Sequence, residues 1–448
     1  CLLEVPPPLL PPMSAAAPSS AAAGAPAATA SGDAAGASAA VLPRDLVVRL
    51  GDTIYGKRKN AALELEALVK SLLPKKEEQV RRILAMLGND FMNNASPNYR
   101  KGGLIGLAAC GLGCGDIAHK FLDLLMGPVL KCFEDPEYRV RYYACESLYN
   151  IAKVVRGRIL PYFNLIFDGL CKLSVDVNID VKNGAILLDG MMKDIVTESE
   201  SFQVDSFIPL LRKYITKTNP HVRQLLVQWI TALDSVPDID MLVWLPTFLE
   251  GLFNMLSDVN RPIRSAADHA LSDFLRELKQ AKHVVFGPCG KSEVGMVAVL
   301  VEQCKSKHIL ARMTAVQWIR EFVLIGKEQL VPFFGELLEA VLACVSDREE
   351  EIRNSTSQAN EALIGLVRRT HAGASAGGDN TAKDKSTAPS IDLMSLITRL
   401  TLNLVNEHEI TRMTSLRWIS MLLEKCPDEM NSCIDEYFFA LLRTLEDP

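Results

Sequence analysis

A basic side chain returns every 41 positions along most of this chain, at Lys59, Arg100, Arg141, Lys182, Arg223 and Arg264. The next step is 48 residues to Arg312, then 41 to Arg353 and 59 to Arg412. A fixed period of this length means that one supersecondary unit is copied along the chain. Nine copies fill the sequence, which overrides the two or three unrelated domains that 448 residues would otherwise suggest.

The text around each basic residue shows what the unit is. Six positions upstream stand Asn94, Asp135, Asp176, Asp258, Asp347 and Asn406, read as helix N-caps. Three positions downstream the side chain is mostly small, as at Ala62, Gly103, Ala144, Ala185, Ala267, Ala315 and Ser415, so that two helices can approach closely; Leu226 and Thr356 depart from this. Six positions downstream come Trp229, Trp318 and Trp418, in one register and therefore in one packing slot. A second apolar-periodic segment precedes each such helix, several opened by proline, at Pro161, Pro246 and Pro332, where a first helical turn needs no amide donor. Helix, Asp-bearing turn and helix, repeated near forty residues, resembles the HEAT repeat. The resemblance implies an all-α HEAT-repeat α-solenoid, a right-handed superhelix of stacked helix pairs with one continuous core.

Composition sets the boundaries. Residues 1–43 read as a disordered Pro/Ala/Ser-rich extension, 44–370 as a solenoid of about eight repeats, 371–390 as a low-complexity insertion, and 391–448 as repeats continued, the last incomplete. Cys433 to Leu445 reads as the first helix of a tenth repeat, whose open face further sequence or a partner would cover. The longest uncharged apolar stretch, Gly102 to Gly115, is shorter than the roughly 18 to 20 residues of a membrane span, so no transmembrane helix is expected. The first 43 residues carry no basic side chain, unlike a secretory or transit signal. The 11 cysteines are scattered through apolar segments, as expected of buried free thiols in a reducing compartment. Residues 44–158 carry a net +6, while residues 159–448 carry −10. The basic end suits an anionic membrane face or an acidic partner, and the overall acidity argues against nucleic acid.

No pattern of catalysis or cofactor binding stands out. Gly111-Leu112-Gly113-Cys114-Gly115 lacks the spacing of a dinucleotide fingerprint and reads as a helix terminus. Cys110, Cys114 and His119 have loose metal-like spacing with no second pair to answer them. The seven histidines form no His-Glu-x-x-His arrangement, and there is no Gly-x-Ser-x-Gly elbow. The chain reads as a non-enzyme without cofactor or metal, and the basic ladder as a spine joining turn to turn.

A binding face is more legible. In the helix after Asp135, Val140, Ala144, Leu148, Ile151 and Val155 form the core stripe, while Tyr142, Glu146, Tyr149, Lys153 and Arg156 line another side. Tyrosine beside charge suits an interface, because its ring brings area at small entropic cost. The segments Arg100-Lys101-Gly102-Gly103-Leu104-Ile105-Gly106-Leu107-Ala108-Ala109, Arg139 to Ile151, Lys193-Asp194-Ile195-Val196-Thr197-Glu198-Ser199, Phe207 to Arg212 and Ser235 to Ile239 resemble the ArPIKfyve family of vacuole-morphology HEAT-repeat scaffolds. That resemblance runs from about Leu46 to the end of the chain. It implies a non-catalytic scaffold assembling the phosphatidylinositol 3-phosphate 5-kinase with a Sac-domain phosphoinositide phosphatase, and so controlling phosphatidylinositol 3,5-bisphosphate. It further implies peripheral association with endosome and vacuole or lysosome membranes from the cytoplasm, and self-association through a C-terminal region not in this sequence. Arg100, Lys101, Arg139, Tyr142, Glu146, Tyr149, Lys153 and Arg156 are the expected partner-binding residues. The competing reading is a HEAT adaptor for protein transport or a protein phosphatase.

Overall fold

The computed structural model describes residues 41–73, 75–281, 284, 286, 295–375 and 391–445, and every regular element among them is helical. Most of the expected extension at 1–43 and of the insertion at 371–390 lies outside the described residues. The chain divides into two compact units, Cys1–Leu210 and Leu211–Pro448.

In the first unit α1 (Arg44–Leu50) pairs with α2 (Tyr55–Leu72), α3 (Glu77–Met86) with α4 (Pro97–Cys114), α5 (Leu122–Lys131) with α6 (Tyr138–Val155), and α7 (Phe163–Leu173) with α8 (Ile179–Thr197). Helices α3, α5 and α7 pack in succession as one layer, and α2, α4, α6 and α8 as the other. The division falls inside α9 (Val204–Ile215). The second unit continues with α10 (Pro220–Asp234), α11 (Leu245–Met255), α12 (Arg261–Gln280), α13 (Met296–Gln303), α14 (Ile309–Gly326), α15 (Phe334–Cys344), α16 (Glu350–Ser375), α17 (Leu393–Leu404), α18 (Glu409–Lys425), α19 (Pro427–Ser432) and α20 (Ile434–Thr444). Here α10, α12, α14 and α16 form one layer and α11, α13, α15, α17 and α20 the other. The fold is the all-α HEAT-type solenoid.

The turn before each second-layer helix repeats one hydrogen-bond pattern. Asp135, Asp176, Asp258 and Asp347 each accept, through Oδ1, the backbone N–H two residues on, at 2.9 to 3.0 Å. Asn94 and Asn406 do the same. These residues therefore close an Asx turn and stand two positions before the N-cap, which corrects their reading as caps. The caps themselves are Ser96, Glu137, Asn178, Asn260 and His408. A short side chain bonding two residues ahead fixes the entry of the helix without reaching its free amides.

The recurrent arginines lock these turns together. Arg141 donates from Nη1 to the carbonyls of Asp135 and Pro136, and from Nε and Nη2 to the carboxylate of Asp176 in the next repeat, at 2.6 and 2.9 Å. Arg100 with Asp135 and Arg312 with Asp347 reproduce this bidentate geometry, and Arg223 binds Asp258 at 2.6 Å. Arg264, Arg353 and Arg412 hold the carbonyls of their own turns.

Two members of the sequence ladder are corrected. Arg58, not Lys59, takes the first position: its Nη1 donates to the carbonyls of Asp52 and Thr53, and Asp52 closes the Asx turn. Each ladder residue lies four positions after its N-cap, and the N-cap here is Ile54, so the first repeat is one residue longer than the 41-residue rhythm assumed. Lys182 has the right register, yet its side chain makes none of these hydrogen bonds among the described residues, because an ammonium lacks the planar fork that spans carbonyl and carboxylate at once.

Glycine sets the closest approach. A Cβ on Gly102 would lie 1.9 Å from the carbonyl oxygen of Leu50 at the end of α1, a backbone atom with nowhere to go. Gly102→Ala should cost about 3 kcal/mol by forced separation of α1 from α4. Hydrogen exchange of α1 amides in the variant checks this, with faster exchange expected in α1 and none in α20.

The interior follows the register. Trp229, Trp318 and Trp418 are all buried, and so are the departures Leu226 and Thr356. Eight described cysteines are buried free thiols and Cys433 is half-buried. Pro97–Glu134 is long and apolar enough to cross a membrane by length and composition, beyond the shorter stretch counted from sequence; within it α4 ends at Gly115, whose φ of 55° breaks the helix, and most of the segment is core.

Candidate partner-binding site

Helices α2, α4 and α6 lie side by side. Gly102, Gly103 and Gly106 of α4 admit Leu50, Phe91 with Met92, and Leu87 with Leu65, whereas side chains of α2 and α6 converge beside Ile105 and Ala108. Tyr55 and Tyr143 rings stand 6.4 Å apart, and Tyr142 packs edge-on to Tyr143 at 5.8 Å. The guanidinium of Arg58 lies under both Tyr55 and Tyr143, 5.9 and 5.8 Å from their centroids, and its Nη2 reaches the Tyr143 hydroxyl at 3.5 Å.

Beside this tyrosine cluster opens a narrow cleft of about 20 Å³, room for one water. Ala62, Ile105 and Ala108 make its apolar floor; Lys59 and Tyr55 stand on the α2 wall, and Tyr143, Glu146 and Asn150 on the α6 wall. Burial drives the Glu146 carboxyl up to about 7. Burial, then the charge of Glu146, raises Tyr55 and Tyr142 to about 12, so both hydroxyls remain protonated donors.

The eight expected partner-binding residues separate into two groups. Tyr142, Glu146 and Tyr149 lie half-buried along one stripe of α6, and Lys153 and Arg139 are exposed. Arg156 is exposed at the end of α6, in a left-handed conformation with φ 47°, and is ion-paired with Glu198. Arg100 and Lys101 do not belong to this surface. Arg100 is committed to Asp135. Lys101 is only 7% exposed, and burial, then the charges of Arg58 and Arg139, lowers its pKa. Both face the body of the repeat because α4 packs on two helices at once, which one helix's periodicity does not reveal.

Tyr55, Tyr143 and Asn150 were not expected at a site, and Lys59 was expected only as a member of the basic ladder. No local signal in the sequence marks them, because they converge from α2 and α6 over the Ile105 and Ala108 face of α4. Elsewhere, the thiols of Cys110 and Cys114 are pushed up by burial, Cys114 to about 12, and are unsuited to act as thiolate ligands at neutral pH. No cluster of His, Cys, Asp or Glu suited to a metal occurs among the described residues.

Residues 98–194, which span α4 to α8, match the family described as the Vacuolar 14 Fab1-binding region. Protein VAC14 homolog of Arabidopsis thaliana is 46% identical over 407 residues, covering 91% of this chain and 52% of that protein. Protein VAC14 homolog of Schizosaccharomyces pombe is 32% identical over 90% of this chain and 60% of its own length. Vacuole morphology and inheritance protein 14 of Saccharomyces cerevisiae is 28% identical over 91% of this chain and 60% of its own length. The chain thus spans about half to three fifths of the length of these relatives.

Proposed function

We propose that this chain, a protein of the VAC14 type, is the kinase-binding part of a non-catalytic scaffold. The partner is a Fab1-type lipid kinase acting on phosphatidylinositol 3-phosphate. The observation that carries this reading is the match of residues 98–194 to a Fab1-binding region, because that segment contains the tyrosine-rich stripe of α6 and one floor helix of the cleft. In this reading the scaffold also recruits a Sac-domain phosphatase and works at endosome and vacuole membranes, so that synthesis and turnover of phosphatidylinositol 3,5-bisphosphate meet on one platform. A net charge of +6 over residues 44–158 supports the approach to an anionic surface.

Affinity purification of the full-length protein tests the reading. The kinase and the phosphatase are expected to co-purify; recovery of neither would overturn it. A narrower prediction concerns the exposed end of α6. Lys153→Glu with Arg156→Glu reverses two charges there, sets a carboxylate against Glu198, and should reduce recovered kinase at least tenfold with helix content unchanged. Unaltered recovery would remove this end of α6 from the interface.

A further inference from the structure

We propose that Ser306, in the turn before α14, is a phosphorylation site, and that its phosphate takes the place of the aspartate that completes the arginine ladder in other repeats. This role goes beyond lipid-kinase binding and does not depend on it.

The ladder is incomplete at Arg264. Arg100, Arg141, Arg223 and Arg312 each reach a carboxylate 35 residues on, at Asp135, Asp176, Asp258 and Asp347. Arg264 is oriented like them, since its Nη1 donates to the carbonyls of Asp258 and Val259 at 2.6 and 3.0 Å. Its Nε and Nη2 meet no carboxylate among the described residues, although these are the atoms with which Arg100, Arg141 and Arg312 grip theirs. The residue in the aspartate position of the next turn is Ser306. It follows Arg264 by 42 residues because the step to Arg312 is 48 rather than 41, the same excess of seven. Helices α12 and α14 pack against each other, so the turns that open them are neighbours in the layer.

Ser306 also holds the aspartate register by its own bonds. Its Oγ accepts the N–H of His308, two residues on, at 3.3 Å, and its carbonyl accepts Arg312 Nη1 at 2.9 Å, as the carbonyl of Asp347 accepts Arg353 Nη1. The other ladder turns carry Asp, Asn or Lys at this position, so Ser306 is the one hydroxyl in the series.

Charge points the same way. Lys305, Lys307 and His308 are exposed around Ser306, and the acid close by in sequence, Glu302, is exposed at the end of α13. A neutral hydroxyl leaves this cationic turn without the counter-charge its equivalents have. A phosphoserine brings a charge of about −2 and three acceptor oxygens, enough for the Arg264 fork and the His308 amide together. It would also stand just before the N-terminus of an 18-residue helix, where an anion is favoured. In the transfer, Ser306 Oγ attacks the γ-phosphorus of a nucleoside triphosphate held by a protein kinase. The Oγ–P bond forms, the bond from that phosphorus to the β,γ-bridging oxygen breaks, the nucleoside diphosphate leaves, and the hydroxyl proton passes to the protein kinase's carboxylate base. The exposed lysines on either side of Ser306 suit an acidic substrate groove.

Two measurements on the full-length protein test this. Phosphopeptide mapping of the protein from growing cells is expected to find phosphate on Ser306, and its absence there would overturn the modification. Phosphoserine installed at position 306 by genetic encoding should slow hydrogen exchange in α12 and α14 by about fivefold against the unmodified chain, with Ser306→Asp giving part of that effect. Arg264→Met should remove most of the slowing from both while helix content stays unchanged. Equal exchange with and without the phosphate, or slowing that survives Arg264→Met undiminished, would overturn the pairing with Arg264.

Discussion

Replacing Asp176 with alanine is expected to cost the first unit about 3 kcal/mol, because it leaves a part-buried guanidinium without its counter-charge. The side chains of Arg141 and Asp176 are 15% and 6% exposed. The carboxylate has three donors, Arg141 Nε, Arg141 Nη2 and the Asn178 amide, so alanine loses the interrepeat pair and the Asx turn together. Asp176→Asn should cost less, since Asn94 and Asn406 close the same turn in their own repeats. A double-mutant cycle with Arg141→Met isolates the pair, and a coupling below about 0.5 kcal/mol would mean that the ladder joins repeats by shape alone.

The acid limb of stability should carry the same signature. Burial raises the Asp176 carboxyl, but the Arg141 hydrogen bond, the Asn178 amide and the Arg141 charge outweigh it and hold the group below the ordinary carboxylate range. Against burial, Asp258 is lowered by the Asn260 amide and then Arg223, and Asp347 by Arg312 and then the Glu349 amide. A depressed folded-state pKa contributes stability that is present above the unfolded value near 4 and lost as pH falls below it. The difference between wild type and Asp176→Ala in denaturant midpoint should therefore be full at pH 7 and shrink below pH 4.

The repeat and its all-helical character were legible because period, turn residues and tryptophan register are local properties that several copies restate. The errors lie where geometry, not periodicity, decides. Lys59 kept the spacing to Arg100, but Asp52, six residues before Arg58, marks the true register. Lys182 has the charge of the ladder without the fork. On α6 the stripe from Tyr142 to Lys153 could be read from helical spacing, whereas its partners on α2 could not. Arg58 and Tyr143 are 85 residues apart in sequence, and only the packing of α2 and α6 on either side of α4 brings them together. Lys101 was taken for surface because its charge suggests water; burial against two flanking helices overrides that preference at the cost of a lowered pKa.

Glu146→Gln should make the free scaffold more stable. The folded chain holds this carboxyl at about 7, against an ordinary value near 4.3 in an unfolded chain. A carboxyl whose folded pKa is raised binds its proton more tightly when folded, so stability falls as pH climbs between those two values and the full penalty is present above the higher one. Discounted for the partial exposure of the side chain, that penalty is about 2 kcal/mol. The variant should therefore unfold at higher denaturant than wild type at pH 8 and match it at pH 4. Equal stability of the two proteins at pH 8 would show that water reaches the carboxylate freely and that burial sets no penalty on its charge.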